Sequence, residues 1–217
     1  PHTGDLIVED AAQHWLSNEG NRNSEAAAIS FDPTKNLPNY GNGGAIVTYN
    51  RQLIEFARDQ ISNGKHLRHS EVGTNSRMSE VDCAQLLVKT QHLDQWQRRR
   101  EKIAHYWIER LKSSAIRCLI DETNVQTHCF HKFVIDISGR DRVARQMQIR
   151  GVETRVHYEL PLTEMDAYQN YPGPDLLSKA SMLSRRVLSL PCYPELTDLE
   201  VEYIIDQLLD SYAEVHS

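Results

Sequence analysis

The chain has 217 residues, 40% hydrophobic and 25% charged, the composition of a globular protein of one or two domains. Its net charge of −6 gives no electrostatic reason to expect nucleic acid or an anionic membrane as a partner, and no apolar run approaches a membrane span. The four cysteines, Cys83, Cys118, Cys129 and Cys192, form no CxxC pair and no regular spacing, so reduced, buried thiols in a cytoplasmic protein are expected.

Asp5 to Val8 reads as a short, buried parallel strand that runs into Glu9, Asp10 and the small residues Ala11 and Ala12. Gln13 to Glu25 is polar and reads as a loop. Two further strands follow, Ala26–Ser30 and Ala45–Thr48. Between them lies a turn-rich stretch holding one lysine, Lys35, framed by Pro33 and Pro38 and closed by Gly43-Gly44. Asn50 is placed to cap a helix over Arg51–Ser62, with Leu53, Ile54, Ala57 and Ile61 on one face and Gly64 as its stop. After a His-, Ser- and Asn-rich loop to Arg77, Ser79 to Asp82 starts a helical periodicity that persists to about Ser113. It predicts one long helix or a kinked pair, with Leu86, Leu87, Leu93, Trp96, Ile103, Trp107, Ile108 and Leu111 as the apolar stripe. Arg98-Arg99-Arg100, followed at once by Glu101, reads as a solvated helix face.

From Ile116 the pattern becomes that of a small α/β domain: strands at Ile116–Ile120 and Phe130–Ile137, a helix at Arg140–Arg150 closed by Gly151, and a strand at Glu153–Val156. A loop over Pro161–Pro174, a helix at Leu176–Arg185 and an extended Leu190-Pro191 come next. In the last helix Thr197 and Glu200 form a capping box, and Val201, Ile204, Ile205 and Leu208 face inward. The expected division is residues 1–92, part of a large domain, and 93–217, a small C-terminal domain.

An acid at one strand end and a lysine just beyond another is the arrangement pyridoxal phosphate (PLP) needs. The amine forms a Schiff base with the cofactor aldehyde, and the carboxylate keeps the pyridine nitrogen protonated as an electron sink. On a strand, a spacing of three would put His128 and His131 on opposite faces, and no cysteine or carboxylate cluster completes a site, so no metal is expected.

Val8-Glu9-Asp10-Ala11-Ala12-Gln13, Ser30-Phe31, Pro33-Thr34-Lys35-Asn36-Leu37 and Gly43-Gly44-Ala45-Ile46 resemble motifs of the DegT–StrS family of PLP-dependent nucleotide-sugar aminotransferases. The resemblance continues in order through Gly73-Thr74-Asn75-Ser76-Arg77-Met78-Ser79-Glu80, Val156-His157-Tyr158, Leu188-Ser189-Leu190-Pro191, Tyr193-Pro194 and Leu196-Thr197. It implies an α/β fold, the C-terminal part of a fold-type-I PLP-dependent transferase. That fold has a partial, mostly parallel large-domain sheet, a long linking helix and a small α/β domain. It implies Lys35 as the Schiff-base lysine and proton carrier, Asp10 on the pyridinium nitrogen, Gln13 near the cofactor O3′ and Ser30 on the phosphate. Asn75 would reach the phosphate in a neighbouring subunit, hence a homodimer with active sites at the interface. Arg77, His157 and Tyr158 would lie on the substrate side.

The implied activity is transfer of an amino group from an amino acid, commonly glutamate, to a keto-sugar nucleotide in aminosugar or surface-polysaccharide biosynthesis. A lysine rather than a histidine at position 35 implies transamination rather than dehydration. Two substrate-side loops depart from the family pattern: Gln13 to Glu25 has few glycines, and Glu159-Leu160-Pro161-Leu162-Thr163 lacks the usual histidine. They leave the sugar open. Relative to the family, the chain lacks an N-terminal half that would carry the phosphate loop and a stacking aromatic ring. A non-catalytic fragment or regulatory protein of the same fold is therefore the alternative, with PLP chemistry other than transamination a third reading.

Overall fold

A computed structural model describes residues 7–14, 24–65, 68–69, 71–120, 125, 127–168, 170 and 178–217. The chain divides into two compact units, Pro1–Arg98 with Thr127–His131 and Arg99–Gln126 with Lys132–Ser217.

In the first unit the strands β1 (Val8–Asp10), β2 (Ala26–Ser30) and β3 (Gly44–Val47) form a sheet in that order. β1 pairs parallel to β2, with Asp10 opposite Ala28, and β2 pairs antiparallel to β3, with Ser30 opposite Gly44. Part of the expected first strand, and of the loop after Gln13, lies outside the described residues. Helix α1 (Arg51–Gln60) starts where expected, because the Asn50 carboxamide accepts the Gln52 and Leu53 N–H groups. It ends two residues early, and the chain then turns through left-handed residues at Asn63 and Gly64. The fully buried residue of α1 is Asp59, where hydrophobic patterning pointed to Leu53, Ile54 and Ala57.

The long helical periodicity is broken. α2 (Glu80–Thr90) and α3 (Leu93–Leu111) are separated by a turn in which the Gln91 and His92 N–H groups reach back three residues to Val88 and Lys89. Ser79 caps α2 through the Asp82 N–H. Leu87, expected on the apolar stripe, is exposed, because it lies about 100° around the helix from the buried Leu86.

In the second unit β4 (Arg117–Cys118), β5 (Phe133–Asp136) and β6 (Val187–Leu190) form an antiparallel sheet in that order. The expected strand from Phe130 starts only at Phe133, since Phe130 is left-handed (φ 46°). Glu153–Val156 is reduced to a single bridge, Arg155 to Ser189. Helices α4 (Arg140–Ile149), α5 (Ser178–Ser184) and α6 (Asp198–His216) complete the unit, with two 3-10 turns at Leu162–Glu164 and Asp166–Tyr168.

The capping box at Thr197 and Glu200 forms as expected, and Val201, Ile204, Ile205 and Leu208 are buried. The core centres on Trp107, which meets the Phe133 ring edge-on at 5.1 Å and donates its indole N–H to the Val201 carbonyl at 2.9 Å. The arginine run is not a solvated face. Arg98 is exposed, but Arg99 donates to the Leu196 carbonyl and Asp198, and the buried Arg100 donates to the Cys192 carbonyl. Successive helical residues point in different directions, so the run splits between water and protein. All four cysteines are free thiols; Cys129 and Cys192 are buried as expected, whereas Cys83 is exposed.

Candidate functional site

β1 and β2 run in the same direction, so their C-terminal ends share one edge of the first unit's sheet. Asp10 closes β1 and Ser30 closes β2, two residues beyond the Asp10–Ala28 pair, about 7 Å further along the strand direction. The exposed Asp10 carboxylate accepts the Ala12 N–H at 3.1 Å, bending the chain into a tight turn through Gln13. Ser30 Oγ accepts the Asp32 N–H at 3.2 Å, which leaves its own O–H as a donor.

The lysine loop leaves the end of β2 and is tied down at several points. The Phe31 N–H donates to the Gly43 carbonyl, the Asn39 N–H to the Phe31 carbonyl, and the Lys35 N–H to the Asp32 carbonyl, all at 2.8–2.9 Å. Gly44 is required at the base: a Cβ there would stand 2.6 Å from the Ile29 carbonyl. The Thr34 hydroxyl and N–H both donate to the Asp32 carboxylate, at 2.6 and 2.9 Å. Those bonds, with the nearby charges of Lys35 and His131, hold the Asp32 carboxyl below the usual range. Beneath the loop, Leu37, Leu86 and Leu93 form a buried cluster flanked by Phe31, Met78 and Trp96. From α2, Lys89 donates to the Pro38 carbonyl at 2.7 Å, and Gln85 donates to the Asn39 side chain. Lys35 itself is half-buried on this support.

Asn75 and Arg77 are exposed and lie on a separate piece of the same unit. The Gly73–Ser76 segment is laid against the end of α1: Thr74 N–H bonds to the Gln60 carbonyl at 2.7 Å, Ser76 N–H to Ile61 at 3.0 Å, and Asn75 bridges Ser62. Met78, at the end of this motif, lies against Gly43 of the lysine loop, about 3 Å from a Cβ placed there. His157 and Tyr158 are in the second unit, where His157 Nδ1 pairs with Ser189 Oγ at 2.9 Å. Burial, then Lys132 and Arg155, pushes the His157 imidazole below its usual value.

Other residues at the site escaped sequence reasoning. Asn36 and Asn39 are buried within the lysine loop, and Asn36 Nδ2 donates to the Cys129 carbonyl at 2.8 Å. His131 Nδ1 lies 3.3 Å from Asn36 Oδ1. The partners are more than ninety positions apart, so no local pattern announces them. His128 and His131 lie on irregular backbone, His131 falling short of the strand expected from Phe130, and among the described residues no cluster of three potential metal ligands occurs. A groove of about 250 Å³ in the second unit, lined among others by Arg99, Lys102, Tyr106 and Asp198, holds none of the predicted site residues.

Comparison with known proteins identifies the family of the chain as a whole. The sequence profile of the DegT/DnrJ/EryC1/StrS aminotransferase family matches residues 2–209. A "dTDP-3-amino-3,4,6-trideoxy-alpha-D-glucose transaminase" of Streptomyces venezuelae is 35% identical over 92% of this chain and 55% of its own length. A "Pleiotropic regulatory protein" of Geobacillus stearothermophilus is 32% identical over 96% of this chain and 59% of its own. Among solved structures, S. venezuelae DesV in complex with a ketimine intermediate superposes with a TM-score of 0.88 at 32% identity, covering 95% of this chain and 58% of that one. The chain thus spans rather more than half the length of the relatives it matches. It belongs to the DegT/DnrJ/EryC1/StrS aminotransferase family.

Proposed function

We propose that this chain is the C-terminal portion of a PLP-dependent sugar aminotransferase that moves an amino group from an amino acid, most simply glutamate, to a keto-sugar nucleotide. The observation that carries the reading is the shared sheet edge, where Asp10 ends one strand and Ser30 ends its parallel neighbour, with the Lys35 loop leaving from Ser30. A carboxylate, a hydroxyl donor and a primary amine form a donor set that fits the ring nitrogen, phosphate and aldehyde of PLP. When bound, PLP supplies the electron sink that makes the Cα–H bond of an amino acid labile. Lys35 Nζ would hold the aldehyde carbon, and once released would carry the proton between Cα and the cofactor C4′. Asp10 would orient the ring and keep the proton on its nitrogen; Gln13 would lie near O3′, and the Ser30 hydroxyl would donate to the phosphate. Asn75 would reach the phosphate of a second subunit in a homodimer, with Arg77, His157 and Tyr158 toward the sugar. In this reading the first unit is the remainder of the cofactor domain and the second is the small domain, in a protein of the cytoplasm.

Adding PLP to the protein should produce a visible absorbance band that borohydride bleaches, with the cofactor mass fixed on the Lys35 peptide and none in Lys35→Ala. Glutamate should then discharge the band, and Asp10→Asn should slow that discharge more than it weakens binding. A folded chain that labels elsewhere or not at all overturns the proposal. A second, regulatory reading has its own support in the Geobacillus relative's name. It predicts a folded protein that stays colourless with PLP and any amino donor.

A further inference from the structure

The short stretch Thr127–His131 belongs to the first compact unit although the chain before and after it belongs to the second. We propose that this stretch is a positioning clasp that sets the Asp10 turn against the Lys35 loop, with Cys129 and Asn36 as the residues that close it. Cys129, 3% exposed, reaches both sides of the candidate site. Its thiol donates to the carbonyl of Gln13, three residues past Asp10, and its carbonyl accepts the side chain of Asn36, the residue after Lys35, at 2.8 Å. His131 adds a second tie to Asn36.

The backbone between them is held against its own preference. Phe130 is a bulky residue at φ 46°, with its ring fully buried. A non-glycine residue persists there only where its surroundings over-determine it. Part of that determination is local: the Phe130 N–H donates to His128 Nδ1 at 2.9 Å, and the His128 ring sits edge-on to His14, 6.3 Å away on the acid turn. The stretch is therefore bonded to the turn after Asp10 and to the loop of Lys35 at once. Two groups that must address one small ring from different strands gain from such a shared anchor, because misplacement by about 1 Å is enough to lower a rate severely. Asn36, Cys129 and His131 act through Lys35 and Asp10 and are positioning residues.

The inference rests on the reading of Lys35 and Asp10 as cofactor-holding groups, and its test has one arm that needs no cofactor. Amide hydrogen exchange is followed in the full chain and in Asn36→Ala, Cys129→Ala and Cys129→Ser. Asn36→Ala should speed exchange of the Lys35 and Asn39 amides and also, across the clasp, those of Ala11 and His14, each by about fivefold, the effect of one lost hydrogen bond. Cys129→Ala should produce the reciprocal spread, and Cys129→Ser, which keeps a donor, should restore it. Acceleration confined to the mutated side overturns the clasp. The second arm measures borohydride-fixed labelling of Lys35 by PLP, which should slow about tenfold in the two alanine variants and recover in Cys129→Ser. Absence of labelling in the unmutated chain defeats the functional reading, and the exchange arm still decides the clasp. If Cys129→Ala does not fold, Asn36→Ser carries the same cross-site comparison, and unchanged exchange at Ala11 and His14 in it overturns the inference.

Discussion

Leu37→Ala isolates what holds the lysine loop. Leu37 is 3% exposed and two residues from Lys35, and it closes a cluster in which Leu86 and Leu93 are the other buried members. Removing three carbons forfeits about 2.4 kcal/mol of transfer free energy at ~0.8 kcal/mol per methylene. A residual cavity adds to this, but Phe31, Met78 and Trp96 are only partly buried and can close over the gap, so the total should lie near 3 kcal/mol, in the lower part of the ~3–5 kcal/mol Leu→Ala range. That corresponds to an increase on the order of a hundredfold in local opening. Native-state hydrogen exchange reads it at the Phe31, Lys35 and Asn39 amides, whose acceptors are the Gly43, Asp32 and Phe31 carbonyls. The amides of the β5–β6 ladder serve as the control in the other unit. Leu37→Met, close in volume, should recover most of the loss. A change below about 1 kcal/mol at the loop amides, or an equal change in the β5–β6 ladder, would refute the view that this cluster specifically supports the loop.

Further outcomes follow from local geometry. Gly73→Ala places a Cβ 2.7 Å from both the Gln60 carbonyl oxygen and the Gly64 nitrogen, backbone atoms that cannot step aside, so it should destabilise by about 1–3 kcal/mol and expose the Thr74 and Ser76 amides to exchange. Gly41→Ala, with nothing within 4 Å, should be nearly neutral in thermal denaturation, where Gly73→Ala lowers the midpoint. Thr197→Ala removes the cap of α6 and should cost the second unit about 1 kcal/mol in denaturant titration. The Thr197 N–H and hydroxyl hold the Glu200 carboxyl below its usual value, so its contribution is present above the ordinary carboxylate range and lost as pH falls through the lowered one; Glu200→Gln should flatten that acid limb. Burial, then the charge of His14, pushes His128 below the ordinary histidine value of 6.5. The unfolded chain then binds more protons than the folded one between the two values, so stability should fall on acidification through that window. His128→Gln should lessen the slope in equilibrium unfolding measured across a pH series.

Features whose causes lie within a few residues were determined by the sequence alone. Asn50 caps α1 and Thr197 with Glu200 caps α6 because a side-chain acceptor and the N–H groups it serves are near neighbours in the chain. The strand at Ala26–Ser30, the turn-framed loop around Lys35 and the inward face of α6 were legible for the same reason, as was the family, whose motifs are short strings of residues in a fixed order.

Tertiary structure alone decided what depends on partners far away. No local pattern marks Asn36 as the residue that reaches Cys129, or assigns Thr127–His131 to the first unit. Asp59 and Arg100 read as surface charges in a helical pattern, yet both are buried, and Arg100 goes inward because a carbonyl 92 positions away accepts its guanidinium. Leu87 reads as core and is exposed, because which arc of a helix is covered depends on its neighbours in space. Periodicity reports that a helix has an apolar face; the packing of distant segments determines how wide that face is and which polar groups are drawn in beside it.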